Sequence, residues 1–322
     1  MIKRRLQRIK RILLCLALVL TVFIEVQLGS IGALAEGNRN EYRQLKVPVS
    51  IEKIGSLFFI TDSYHSQVIY SDSLNKPIHQ WEIMAAGLNM PHGIASDGVN
   101  YVVLDTDNNS VLLCRKSEDG FSKVQVLEGI GIRPHDIYYD QKEDTFYVWS
   151  SMTGQMYLLK MTGKSEEARL AVSGILALPE YKGKYVRSFY VMGEYILFPS
   201  GVDSNYLLLA DRKTLTPIIR FPVTQDIAGM ADVMIAGPYF YITVSTDALG
   251  NQTKAKIIRT SNLATLAKGK YEDISEQFTG LLVPYYFTQI DGHYYMTATG
   301  SKASLYRFDV TNNGLTNIEV VY

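Results

Sequence analysis

The sequence predicts an all-β fold: a six-bladed β-propeller of four-stranded antiparallel blades, following an N-terminal signal peptide. Two observations predict the propeller. The stretch Pro91 to Leu113, PHGIASDGVNYVVLDTDNNSVLL, reads as a turn, a strand, a Gly turn, a strand, an Asp/Asn turn and a strand. The same order of parts begins again forty-three residues on, at Pro134. A unit of short strands repeating at a period of about 45 residues is the mark of a propeller. From Val47 to the end, moreover, the chain is short runs of Val, Ile, Tyr and Phe cut by Gly, Asp, Asn and Ser, the pattern of successive strands and turns.

The leader comes first. Met1 to Arg11 carries six basic residues and no acid, Ile12 to Ile24 is an apolar run with Thr21 its one polar residue, and Ala33-Leu34-Ala35 is a small-x-small site. That order is a secretory signal peptide over residues 1–35, cleaved before Glu36. The apolar run stops at Glu25, short of the roughly 20 residues that span a bilayer. Leu14 before Cys15 is not the small residue that lipid attachment requires. The expected address is therefore secreted or cell-surface, with no membrane span after cleavage. Residues 36–46 (EGNRNEYRQLK) read as a polar linker, and 47–322 as the propeller. An added edge strand over Tyr42 to Val47 is the alternative to closing the ring by packing alone.

Removing the leader changes the charge balance. It holds six of the 32 basic residues and one of the 32 acids, leaving 26 against 31. A mildly acidic body without a basic patch argues against nucleic acid as a partner. One cysteine remains, Cys114, on an expected strand, so no intrachain disulfide can form and the core must hold the fold. A monomer is expected.

Aligned on the repeat, the six copies begin near Pro48, Pro91, Pro134, Val186, Met230 and Pro284. Each offers an inner strand, a tight turn, a second strand ending in Asp, Ser or Thr, a polar turn, a third strand and a looser outer strand. Ser165 to Val172 and Asn262 to Lys268 read as places for a helical turn.

The Pro91 to Leu113 stretch resembles an NHL repeat, with its Pro-x-Gly-Ile-Ala start, Asp/Gly turn and strand ending in Asp. Blade three departs from it, with His135-Asp136-Ile137 in place of x-Gly-Ile. The resemblance implies a six-bladed extracytoplasmic propeller and leaves activity open. The peptidyl-hydroxyglycine lyases are similar in using Pro-His-Gly and Pro-His-Asp histidines as zinc ligands, which His92 and His135 match. That family has three such histidines on alternating blades; here there are two, on consecutive blades. Streptogramin lyases and gluconolactonase-like hydrolases resemble the chain in repeat shape, but their catalytic histidine pair and Glu/Asn/Asp metal set have no matching positions.

The first residues of the six inner strands are Val49, His92, His135, Arg187, Ala231 and Tyr285, and they should ring one channel mouth together with the turns at Asp62, His65, Asp105 and Asp107. Convergence of two imidazoles, a guanidinium, a phenol and carboxylates in one concavity is the default site hypothesis. The ligand-binding set is thus His92, His135, Arg187, Tyr285, Asp62 and Asp105. Each has a plainer role open to it: Asp62 and Asp105 as turn caps, the histidines as partners of loop carbonyls, Arg187 as the partner of a nearby acid, Tyr285 as packing. Arg187 suits a carboxylate or phosphate. His92 and His135 would hold a divalent metal such as zinc or calcium only with a third ligand, Asp136 or His65 being the candidates. No nucleophile elbow, phosphate loop, HExxH or CxxC motif occurs.

Two functions fit. The favoured one is a secreted propeller that binds a small molecule, glycan or protein on its channel face. The alternative is a metal-dependent lyase or hydrolase with a His-lined site at the same mouth. Whether the protein is an enzyme stays open at this stage.

Overall fold

Each blade is built from one continuous stretch of chain, its four strands hydrogen-bonded in sequence order. The computed structural model describes residues 40–164, 167–300 and 303–322, so the signal peptide expected over residues 1–35 lies outside the described residues. Blade one is β1 (Pro48–Ile54), β2 (Leu57–Asp62), β3 (Gln67–Ser71) and β4 (Glu82–Ala86). Blade two is β5 (Ile94–Ser96), β6 (Asn100–Asp105), β7 (Ser110–Ser117) and β8 (Gly120–Glu128). Blade three is β9 (Pro134–Asp140), β10 (Thr145–Ser150), β11 (Gln155–Thr162) and β12 (Arg169–Ala177). Blade four is β13 (Tyr190–Met192), β14 (Tyr195–Phe198), β15 (Tyr206–Asp211) and β16 (Pro217–Pro222). Blade five is β17 (Gly229–Ala236), β18 (Tyr239–Thr246), β19 (Lys256–Thr260) and β20 (Glu272–Asp273). Blade six is β21 (Val283–Ile290), β22 (His293–Thr299), β23 (Leu305–Thr311) and β24 (Gly314–Val320). All neighbouring strands within a blade are antiparallel.

The burial pattern follows from the stacking of blades. A second strand has a neighbouring blade on each face, so both sets of alternating side chains are covered: β6 and β10 are buried at every position. The outermost strands are largely exposed, as in β16. Six apolar clusters fill the six gaps between blades. The first two join Phe59 and Val68 to Val103 and Leu112, then Val102 and Leu113 to Phe146 and Val148. The next three join Trp149 to Phe198, Leu207 to Ile242, and Tyr241 to Phe308. The sixth joins Ile51, Ile60 and Trp81 to Ile290, Tyr295 and Leu305, and so closes the ring between the first blade and the last.

No strand over residues 42–47 joins a sheet, so closure rests on packing and on a latch of side chains. The Tyr322 hydroxyl lies 2.5 Å from the Leu74 carbonyl and 2.7 Å from that of Lys76, and it accepts from Trp81 Nε1 at 3.2 Å. Lys53 pairs with Asp291 across the same seam. Residues 40–46 run along blade one: Asn40 is buried, donating from its backbone to the Trp81 carbonyl and from its amide to that of Ile78.

Of the two places read as helical turns, Leu263–Lys268 is a short 3-10 helix capped by the Asn262 side chain. In the other, Glu167 is 3-10 in conformation, and the part from Arg169 to Val172 is corrected to strand: it belongs to β12, paired with β11. From Arg169 on the side chains alternate and Leu170 packs inward.

Candidate functional site

Proline and a left-handed residue set the start of the inner strands. Met90, Arg133 and Tyr185 stand two positions before His92, His135 and Arg187, and all three have positive φ, 53°, 56° and 48°. Such a conformation is costly for a residue with a side chain, and its recurrence in three blades fixes how the chain turns into the channel. The following side chains are thereby set at equivalent places around the ring.

They meet. The rings of His92 and His135 lie 3.8 Å apart between centroids, tilted by 59°, and Tyr285 stands 6.2 Å from His92. His92 Nδ1 lies 2.7 Å from the Met90 carbonyl, which can only accept, so Nδ1 carries the proton and Nε2 the lone pair. Thr106, from the turn after β6, lies 3.2 Å from the same nitrogen and donates to the Pro134 carbonyl, tying blade two to blade three. His135 Nε2 lies 2.9 Å from the Tyr185 hydroxyl. The Tyr185 ring is flanked by two guanidiniums, Arg133 at 5.0 Å and Arg187 at 4.9 Å. Arg187 donates to the Met230 carbonyl at 3.1 Å, and Arg133 pairs with Asp107 at 3.0 Å.

This layer is closed. His92, His135 and Arg187 are 7%, 5% and 9% exposed. Burial depresses both histidines, His92 to about 3 and His135 well below its usual value, with the nearby guanidiniums acting in the same direction. Both rings are therefore neutral at ordinary pH, which allows them to sit beside two arginines. Burial likewise raises the Tyr285 hydroxyl.

Asp62 and Asp105 stand elsewhere, in their own turns. Asp62 accepts from the backbone of Lys46 and Val47 and lies 2.7 Å from His65 Nδ1; His65 in turn stacks on Tyr42 at 3.6 Å. Asp105 accepts from the Asn89 backbone at 2.6 Å and from the Asn108 amide at 2.9 Å. Each carboxylate thus fastens the loop leading into its blade's inner strand. The third ligand that a metal would need beside His92 and His135 is missing, since no group of three His, Cys, Asp or Glu side chains gathers closely enough to hold an ion among the described residues. Asp136 turns instead to backbone amides, and His65 to Asp62.

Beyond that layer the channel widens. A half-open chamber of about 460 Å³ is lined by all six inner strands, from Glu52 and Asp136 at its inner part to Ile54, Ser96 and Gln289 at the strand ends. Asp136 and Asp232 occupy equivalent positions in blades three and five, each one residue after the channel-entry residue, His135 and Ala231. Asp136 accepts from its own Ile137 backbone at 2.8 Å and from Phe189 of blade four at 3.0 Å. Asp232 accepts from Phe287 of blade six at 2.8 Å. Glu52 of blade one has only the Thr288 hydroxyl, at 3.4–3.5 Å. Burial raises all three: Glu52 to about 8, with Asp232 adding to it, Asp232 to about 7, and Asp136 well above the carboxylate range, with Asp232 and Glu52 adding. Tyr286 is raised by burial and by the same three acids.

Sequence reasoning centred on the recurring histidines and passed over Glu52 and Asp232. The available signal was an acid inside an otherwise apolar inner strand, in VSIEKI and in MADVMI. Such an acid must either be bonded to backbone or face a cavity.

No family model matches the chain, and no curated protein matches it. Solved structures do. A candidate 6-phosphogluconolactonase from Bacteroides fragilis superposes with a TM-score of 0.61 at 13% identity, over 85% of this chain and 84% of that one. A catalytically inactive virginiamycin B lyase from Staphylococcus aureus, with quinupristin, gives 0.56 at 14%, over 88% and 86%. Hydrazine synthase from Kuenenia stuttgartiensis gives 0.55 at 15%, over 84% and 79%. At these identities the likeness is one of fold.

Proposed function

We propose that this protein is a secreted binding propeller that takes a small molecule into its central channel, without catalysis. The observation that carries the reading is the chamber of about 460 Å³ bounded by all six blades. Ligand sites are concave and provided with placed polar groups. Apolar side chains such as Ile94, Val233 and Phe287 supply walls, while Glu52, Asp136, Asp232 and Tyr286 supply the polar groups. A pocket enclosed by strands on a rigid ring suits a small molecule better than a protein or a long glycan, which would take the open faces. The His92–His135 layer closes the far end of the channel. A lyase or hydrolase working through a metal at those histidines would need a third protein ligand, and the described residues supply none there. The secreted address is part of the proposal and rests on residues 1–35; the protein recovered outside the cytoplasm should begin at Glu36, and retention of Met1 would replace secretion with anchoring.

The test is a binding screen with a blocked variant. Gln289 is exposed at the chamber's rim, so Gln289→Trp narrows the opening without entering the core. A small-molecule library screened by native mass spectrometry and thermal shift should give one-to-one ligands that Gln289→Trp loses. Ligands that bind the variant equally well, or no ligand at all, would sink the channel reading.

A further inference from the structure

Three acids face one chamber, and among the described residues nothing basic lines it with them. Glu52, Asp136 and Asp232 come from blades one, three and five, and among the described residues no Lys, Arg or His lines the chamber with them. The two guanidiniums of the channel belong to the histidine layer, committed to Tyr185, Met230 and Asp107. Asp136 and Asp232 have structural work, since each accepts a backbone N–H from the next blade. Glu52 has none of that kind. Its carboxylate has a single long hydroxyl contact and is otherwise turned to the cavity. Glu52 is only partly exposed, a carboxylate held there without a counter-charge is unfavourable, and a wall that only needed filling would hold an apolar residue. The walls offer the other half of a recognition surface: Tyr190, Tyr286 and Tyr294 line the same space, and aromatic faces attract cations.

We propose that the channel chamber is a site for an organic cation, an ionised amine on a short apolar stem, with the ammonium held by Glu52 between Asp136 and Asp232 and the stem along the tyrosine and Ile94 walls. This rests on the channel-binding reading above and narrows it to a ligand class. A bare metal ion fits less well: the acids do not converge on one point, and the volume holds a molecule of several heavy atoms. The depth of the acids sets the orientation. Asp136 and Asp232 sit near the start of their strands, Glu52 two positions further along the equivalent strand, and the opening lies at the strand ends. The charged end therefore goes in first.

Protonation gives the proposal its signature. Glu52, Asp136 and Asp232 hold their protons more tightly than free carboxyls, because desolvation disfavours their ionised forms, with Asp232 adding to the effect at Glu52 and both of these acids adding to it at Asp136. An incoming ammonium favours the ionised forms, so binding should release protons and weaken as the pH falls.

The probes are n-butylammonium and 1,4-diaminobutane, with n-butanol and butyrate as neutral and anionic matches, titrated calorimetrically into the purified protein at pH 8 and pH 5. The expected result is one-to-one amine binding at pH 8, at least about tenfold weaker at pH 5 and in Glu52→Gln, with butanol and butyrate weaker by a similar factor. Heats measured in two buffers of different ionisation enthalpy should report proton release. Glu52→Gln is isosteric, and its melting temperature in the same buffers shows whether it is folded. Equal binding of butanol or butyrate, or unchanged amine binding by folded Glu52→Gln, would overturn the cation assignment and leave the channel reading standing. Binding of no probe would also overturn it, and the library screen then decides separately whether the channel takes any ligand.

Discussion

Glu52 makes the most direct claim on stability at the scale of a single residue. Its folded pKa is about 8 against an ordinary 4.5, so the folded protein keeps the proton over a range in which the unfolded chain has released it. The difference vanishes below about pH 4.5, and stability is lost as the pH rises from there to 8. Glu52→Gln removes that loss. The variant should match the parent at pH 4 and exceed it at pH 8 by on the order of 1–3 kcal/mol in denaturant unfolding; a less stable variant at pH 8 would mean that the carboxylate has a partner it does not show. His92 behaves in the opposite sense. Its folded pKa of about 3 lies below the ordinary 6.5, so stability is intact above 6.5 and falls as the pH drops toward 3. His92→Asn can keep a donor for the Met90 carbonyl, should cost about 1–2 kcal/mol at pH 7 through lost packing on His135, and should flatten the decline between pH 6.5 and pH 4. An acid limb as steep as the parent's would remove His92 from the account.

Among the elements, the turns after the second strands carry the connections. Asp62 holds two backbone N–H groups and the His65 ring, and is fully buried. Asp62→Ala should strand those donors and cost about 2–4 kcal/mol. Asp62→Asn, which keeps an acceptor, should recover much of the loss; equal instability of the two would point to the charge rather than the hydrogen bonds. These turns were legible in sequence because Asp followed by small polar residues ends an alternating run, and a left-handed residue then closes the turn: Ser66 and Asn109 at φ 57° and 54°, Gly154 at 64°. At Gly154 a side chain would also strike the Leu178 carbonyl at 2.6 Å. The histidine layer was legible for the same reason, since a repeat places equivalent residues together. The acids of the chamber were not. Glu52 and Asp232 sit singly in apolar strands, and their meeting is a product of the ring, to which each blade brings one residue far apart in sequence. The bounds of the strand Arg169–Ala177 were not legible, because its start is set by contact with blade two, where the Gln125 side chain bonds the Leu170 backbone.

In the molecule as a whole, the ring has five junctions at which consecutive blades are also joined by the chain, and one at which they are not. Blades one and six meet through an apolar cluster, the Lys53–Asp291 pair and the Tyr322 latch on Leu74, Lys76 and Trp81. Where two elements are joined by chain, opening their interface leaves them close together and readily re-formed. At this seam opening frees both partners, and nothing but contacts restores it. In an array of near-identical units the stability of each depends on its neighbours, so the seam should be where the protein opens at the lowest free energy. Hydrogen exchange under native conditions should accordingly find the amides of β1 and β22 less protected than those of β9 and β10, although both pairs are well buried. Tyr322→Phe removes the hydroxyl that serves three partners. It should cost about 1–3 kcal/mol, and the added exchange should be confined to blades one and six. Trp81 keeps the Lys76 carbonyl as acceptor at 3.1 Å, so the variant should still fold. Uniform exchange around the ring, or a loss of protection spread over all six blades, would show that the propeller opens as one unit and that its seam is no weaker than its chain-linked junctions.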